Sequence, residues 1–188
     1  MRVQLIKKTE LNIAKWGGGT TTQLFIHPPG SSYDRRDFAF RISTATVEKE
    51  RSVFTWLPGI TRKLMVLEGT FLITHKDQHS QQLGKFDQDE FDGGWETSGE
   101  GKVTDFNLML RGSAEGDITP LTLEAGSEYG INADNFAFIY INKGALKIKL
   151  GNEVLEAEEG DFLSLEQPGD FLLYSETGSE AVLVNIAK

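Results

Sequence analysis

The sequence predicts an all-β protein built as two consecutive barrel halves. Three observations predict it. Glycine is frequent, with 20 residues in 188, and regularly spaced between short runs of Val, Ile, Leu, Phe and Thr. That is the pattern of short strands joined by tight turns. No segment keeps a 3.6-residue apolar period over about 12 residues, which leaves no room for long helices. Finally, one strand–turn–strand unit occurs twice.

Taken in order, strands are expected near residues 3–6, 21–27, 38–47, 62–67, 70–75 and 106–111. They continue near 117–123, 136–142, 145–150, 161–165, 171–174 and 181–186. A single short helical turn is expected near 130–135. The repeat pairs residues 62–73 with 136–148, each an apolar strand, a glycine-containing hairpin and an alternating strand. Gly69 and Gly144 would occupy the turns, where a positive φ costs glycine little. The second copy runs on through Gly151-Asn152 to Glu159-Gly160-Asp161-Phe162-Leu163. This string resembles a cupin half-barrel. Two such halves make a bicupin of jelly-roll type, with lobes at residues 1–111 and 112–188. The boundary falls near Arg111–Thr119, and strands could be exchanged between lobes.

Composition narrows the function classes. There is no cysteine, hence no disulfide, zinc–thiolate site or cysteine nucleophile. The stretch from Met1 to Lys8 is too briefly apolar to read as a signal peptide, and no apolar run is long enough to span a membrane. A cytoplasmic location is expected. The net charge of −9 argues against a nucleic-acid partner. Charge is also unevenly placed. Residues 1–111 hold 15 Lys+Arg against 14 Asp+Glu, whereas residues 112–188 hold 4 against 14. All seven arginines lie in the first part, so an anionic ligand belongs there.

The candidate site grows from alternation. In the strand at 38–45, Phe38, Phe40 and Ile42 share one face, and Ala39, Arg41, Ser43 and Ala45 the other. An arginine among small residues leaves space above it for a ligand; the competing reading is a solvated outer face. Along Asp105–Arg111, Phe106, Leu108 and Leu110 form a core face opposite Asp105, Asn107, Met109 and Arg111. Asp105 or Asn107 could orient an arginine or bond a ligand. Pro58-Gly59 turns the chain into a strand at whose start Arg62 stands. The run from Trp16 through Gly17, Gly18 and Gly19 to Thr22 reads either as an anion-holding loop or as a plain turn. Trp95 reads as a lid or as a packing residue. There are three histidines, His27, His75 and His79; the last two flank a polar hairpin loop, Lys76-Asp77-Gln78, and read as surface residues. No metal and no cofactor are expected. Asp87-Gln88-Asp89-Glu90 reads as a solvated acidic loop.

Four blocks in order resemble the HutD/Ves family. They are residues 16–24, residues 40–45, Phe54-Thr55-Trp56-Leu57-Pro58-Gly59-Ile60-Thr61-Arg62, and Asp105-Phe106-Asn107-Leu108-Met109. The family's Trp-x-Asn-Gly-Gly-Gly block departs here, since Trp16 directly precedes the glycines and the asparagine is missing. The resemblance implies a bicupin associated with histidine utilisation that binds a small molecule and limits or tunes histidine breakdown. The pathway's intermediates, such as urocanate, N-formylglutamate and formiminoglutamate, are carboxylates, which agrees with an arginine-bearing N-terminal half.

The leading reading is a cytosolic binder or sensor of a small carboxylate. Arg41 and Arg62 would clamp it, with Ser43, Asp105 and Asn107 lining the pocket and the Trp16–Thr22 loop closing it. The alternative is a cofactor-free isomerase or hydrolase with Asp105 as general base. A scaffold protein is the third. Exposed sheet edges suggest a homodimer.

Overall fold

The structure is a computed structural model that describes residues 2–133, 135–166 and 169–187. It is all-β: among the described residues the only helix is a single 3-10 turn, Lys8–Glu10. The chain divides into two units, residues 12–114 and residues 1–11 with 115–188. The expected lobe of residues 1–111 therefore loses its first strand to the other unit. The reason is local. β1 (Arg2–Ile6) pairs antiparallel with β17 (Phe162–Glu166). Asp161 then accepts hydrogen bonds from the Lys8 amide (2.9 Å), the Lys7 ammonium (2.8 Å) and the Glu158 amide (2.9 Å).

The unit of residues 12–114 has ten strands. They are β2 (Asn12–Trp16), β3 (Gly19–His27), β4 (Phe40–Val47), β5 (Arg51–Val53) and β6 (Ile60–Gly69). After these come β7 (Phe71–His75), β8 (His79–Leu83), β9 (Gln88–Asp92), β10 (Thr97–Glu100) and β11 (Val103–Arg111). A six-stranded sheet runs β2-β3-β4-β11-β6-β9, and a four-stranded sheet runs β5-β10-β7-β8. Leu64, Val66, Val47 and Val103 of the first sheet pack with Phe71, Ile73 and Leu83 of the second, so the two sheets enclose one core. A second cluster of Phe38, Leu57, Ile60 and Met109 closes one end, with Ile26 and Tyr33 against it.

The other unit repeats the plan with β12 (Glu115–Leu123), β13 (Ser127–Ala133), β14 (Phe136–Lys143), β15 (Ala145–Leu150), β16 (Glu153–Glu158), β17, β18 (Gly169–Ser175) and β19 (Ser179–Ala187). Its sheets run β1-β17-β14-β19-β12 and β13-β18-β15-β16. Leu146, Ile148, Leu163, Leu165, Leu173 and Leu183 are among the buried residues between them. The helical turn expected near 130–135 is instead strand β13, paired with β18, as far as Ala133. Residue 134 lies outside the described residues. Gly69 and Gly144 do turn the two repeats, at φ of 90° and 78°.

Candidate functional site

Strand register assembles the site. Arg41 of β4 stands opposite Met109 of β11, and Met109 opposite Arg62 of β6. The next rank is Ser43, Asn107 and Leu64, and the one after is Ala45, Asp105 and Val66. Directly paired residues point to the same side of a sheet. Arg41, Ser43, Arg62, Asp105 and Asn107 thus share the face that carries Leu64 and Val66 into the barrel core. All five are buried. The opposite face, with Phe40, Ile42, Phe106 and Leu108, is buried as well, so the solvated outer face is ruled out for Arg41. Phe38 departs from the alternation: it packs with Met109, on Arg41's side.

Two chains of polar contacts meet there. Arg41 donates through Nε to Gln23 Oε1 (2.9 Å) and through Nη1 to Ser43 Oγ (3.0 Å), with its guanidinium 4.7 Å above the Tyr33 ring. Arg62 donates through Nη2 to Asn107 Oδ1 (2.8 Å), and the Asn107 amide donates onward to Asp105. The Arg62 guanidinium lies 4.8 Å from the Phe54 ring centre and 5.2 Å from that of Phe91. Its Nε is buried and has no hydrogen-bond partner among the described residues. Neither guanidinium forms an ion pair with a described carboxylate.

Burial governs the charges. It pushes Arg62 down to about 10, opposed by the nearby Asp105, and it also lowers Arg41. Burial pushes Asp105 up to about 7, against the pull of Arg62 and Asn107. At neutral pH two cations therefore face the interior against one partly ionised carboxyl group.

Trp16 and Thr22 do not join this cluster. The glycine run is the tight turn of the β2–β3 hairpin, and Gly19 pairs with Val47, at the opposite end of β4 from Arg41. Six residues of strand separate Arg41 from Val47, about 20 Å at the strand rise. Thr22 pairs with Thr44 and shares its side of the sheet, away from Ser43, and Trp16 is 43% exposed. The glycine at position 19 is required by close approach, since a Cβ there would sit 1.9 Å from the Thr46 carbonyl oxygen. The residues beside Arg41 are Ile26, its register partner, together with Gln23 and Tyr33. A shallow open depression outside the site is lined by Pro28, Asp37, Phe38, Pro58 and Arg111 among others, and by none of the five buried polar residues.

His75 overturns its surface reading, while His79 keeps its exposure. The three-residue loop after β7, with Asp77 at φ 62°, sets His75 directly opposite His79 across the β7–β8 hairpin. On its other side His75 pairs with Thr97 of β10. Asp89, expected in a solvated loop, lies buried on β9 of the facing sheet. Its carboxylate is 2.9 Å from His75 Nε2 and 3.1 Å from His79 Nε2. His75 is buried, which lowers its affinity for a proton, while the His79 side chain is 39% exposed. Trp95 packs edge-on against both rings, so it is a packing residue. His27 stacks on Phe40 at 5.0 Å.

The fold recurs in solved structures. A conserved Pseudomonas aeruginosa PAO1 protein of unknown function matches at 18% identity and a TM-score of 0.87, with 100% of both chains covered. HutD from Pseudomonas fluorescens SBW25 matches at 18% identity and 0.74, again over 100% of both chains. The Escherichia coli pirin YhhW, in complex with nickel(II), matches at 15% identity and 0.74, over 97% of this chain and 98% of that one. A cupin 2 conserved barrel domain protein from Leptotrichia buccalis is also similar, at 12% identity and a TM-score of 0.62, over 100% of this chain and 98% of that one. No sequence match was found among curated proteins. No helix among the described residues is long and apolar enough to cross a membrane. The HutD family model matches residues 8–183, and the chain belongs to the HutD family.

Proposed function

We propose that this HutD-family chain binds a small carboxylate inside the barrel of residues 12–114, and that binding tunes or senses histidine utilisation in the cytoplasm. The observation that carries the reading is the pair of buried guanidiniums in one rank of the sheet, neither salt-bridged, with Arg62 Nε buried and unpartnered. A buried cation without a counter-ion is costly, and a buried donor without an acceptor is costly too. An anionic ligand relieves both. A carboxylate suits the planar fork of guanidinium donors, whereas a lysine would offer only a point charge. Phe54, Phe91, Tyr33 and Met109 supply apolar and aromatic walls, which fits a small organic acid such as urocanate, N-formylglutamate or formiminoglutamate.

A ligand that binds only the native state raises the melting temperature in proportion to the logarithm of its concentration. Thermal-shift and calorimetric titrations with these three acids and their amides test the reading. The acids should stabilise and the amides should not. A screen in which no carboxylate stabilises the protein would sink it.

One observation favours a second reading, a cofactor-free isomerase or hydrolase. A carboxyl group held near 7 is well matched to general-base work at neutral pH. Turnover of any of the three acids, abolished by Asp105→Asn, would establish it in place of simple binding.

A further inference from the structure

We propose that His75, His79 and Asp89 form a binding site for one divalent transition-metal ion, at the edge of the barrel core and reachable from solvent. The three side chains come from different strands: His75 from β7, His79 from β8 and Asp89 from β9 of the opposing sheet. Their ligand atoms all lie within 4.8 Å of one another. The Asp89 carboxylate is bracketed, with His75 Nε2 at 2.9 Å from Oδ2 and His79 Nε2 at 3.1 Å from both oxygens. Two ligands bonded to one ion at about 2.05 Å stand about 2.9 Å apart at a right angle and about 3.3 Å apart in a tetrahedron. The two carboxylate–imidazole spacings are those of ligands around a shared centre, and a small side-chain rotation brings all three onto it. The set of two imidazoles and one carboxylate suits zinc, nickel, copper or iron and leaves positions open for water or an exogenous ligand.

Hydrogen-bond bookkeeping supplies an independent reason. With the Thr97 hydroxyl donating to the Trp95 carbonyl (3.3 Å), its oxygen is left to meet His75 Nδ1 (2.8 Å) as an acceptor. Nδ1 then carries the imidazole proton, and Nε2 presents its lone pair to a carboxylate oxygen at 2.9 Å. Two lone pairs at that distance repel unless something positive lies between them. A single proton on His75 would serve one of the two imidazole–carboxylate contacts and leave the other to a second proton. One divalent cation serves all three groups at once. Thr97 thereby acts as the outer partner that fixes the His75 tautomer and ring angle, an arrangement common behind metal-bound imidazoles. The Trp95 and Phe91 rings wall the pair of histidines, the His75 ring lying 4.4 Å from Phe91 and 5.5 Å from Trp95. The exposed flank of His79 is the entry path. The proposed site departs from the expectation of a metal-free protein, and it does not rest on the carboxylate reading.

The test uses the full-length protein stripped with a chelator and dialysed, with metal salts alone as probes. Equilibrium dialysis against zinc, nickel and cobalt, read by elemental analysis, should give one ion per chain. Cobalt should develop visible absorption, and zinc should raise the melting temperature. Asp89→Asn and His79→Ala should each weaken binding at least 100-fold. Thr97→Val, which keeps the shape and loses the acceptor, should weaken it about 10- to 100-fold. His79 is partly exposed, so its variant tests the site even if the buried substitutions fail to fold. Binding of none of the three ions by the parent would overturn the proposal. So would a parent and a folded His79→Ala variant that bind metal equally.

Discussion

Replacing Arg62 by methionine separates its role in ligand capture from its role in the fold. The Arg62 guanidinium is buried between the Phe54 and Phe91 rings, gives one hydrogen bond to the neutral Asn107, and has no ion pair among the described residues. Methionine keeps an unbranched stem of similar length between those rings while removing the charge. Replacing a buried, uncompensated cation with an apolar side chain is often neutral or stabilising, at the cost here of one Asn107 contact worth about 1 kcal/mol. The variant should therefore melt within a few degrees of the parent. Carboxylate binding should suffer far more. Losing a desolvated charge-assisted contact costs about 2–4 kcal/mol, which is about 30- to 1000-fold in Kd. Isothermal titration with whichever acid stabilises the parent is the assay, and scanning calorimetry controls for the fold. Arg62→Lys should recover only part of the loss, because an ammonium does not reproduce the forked donor geometry. A folded Arg62→Met variant that binds with parental affinity would refute the reasoning.

Other outcomes follow from the same layer. Arg41→Ala should weaken carboxylate binding by about 10- to 150-fold, a loss of about 1.5–3 kcal/mol, measured by the same titration. Its melting temperature should change little, because its hydrogen-bond partners Gln23 and Ser43 are both neutral. Carboxylate affinity should fall as pH rises through about 7, where Asp105 ionises beside the anion, and Asp105→Asn should flatten that profile. Folding stability should obey the matching sign. Asp105 has a folded pKa raised above its ordinary value, so the native state holds an extra proton across that window. Its contribution is greatest at low pH and is lost as pH rises toward 7, a slope that chemical denaturation at several pH values should show and that Asp105→Asn should reduce. Asp161 behaves oppositely. Its carboxylate is held below the usual range despite burial, by the Glu158 amide, the Lys7 ammonium and the Lys8 amide. Its stabilisation is therefore present at neutral pH and lost as pH falls through the carboxylate range. Asp161→Ala should cost about 1–3 kcal/mol at pH 7 by orphaning the Lys8 and Glu158 amides; the exposed Lys7 ammonium keeps water and the Glu156 carbonyl as partners.

The sequence showed the central strands and missed six of the eight edge strands, for a physical reason. The strands foreseen, such as β4, β6, β11, β14 and β19, lie inside sheets, where hydrogen bonding on both sides and burial select Val, Ile, Leu and Phe. Asn12–Trp16 is exposed throughout, and His79–Leu83 and Glu153–Glu158 nearly so. Each lies at the edge of its sheet, as do Arg51–Val53, Gln88–Asp92 and the strand β13 that was expected to be helical. An edge strand with polar residues on both faces carries no period-two apolar signal, and polar edges protect against pairing with other chains. β1 and β12 are edge strands that were foreseen, β12 because it buries Ile118, Leu121 and Leu123; the central strand that was missed is β10, Thr97–Glu100. It sits between β5 and β7 yet is built from Thr, Ser, Gly and Glu. Its Gly99 leaves room for the Phe71 ring, which a Cβ there would meet at 1.9 Å.

The two clusters in the barrel differ in how far sequence alone could reach them. Arg41, Ser43, Asp105 and Asn107 lie on adjacent strands of one sheet, so alternation within each strand was enough to place them on a common face. Arg62 joined them because β6 flanks β11 on its other side. Alternation did not show that this face points inward, since the opposite face is apolar too. The histidine cluster depends instead on two sheets facing each other. His75 and His79 become register partners only if residues 76–78 form a tight loop with Asp77 left-handed. A His-x-x-x-His spacing around polar turn residues is a signal that could have raised that pairing. Asp89 reaches them from the six-stranded sheet, and nothing in the local sequence of an acidic edge strand marks it as the one carboxylate turned inward. Its neighbours show the difference: in Gln88–Asp92 only Asp89 and Phe91 are buried. Phe91 is the apolar residue that fixes which parity of β9 faces the core, and it carries Asp89 inside with it. The aromatic ring beneath Arg62 is thus also the residue that delivers a carboxylate to the two histidines.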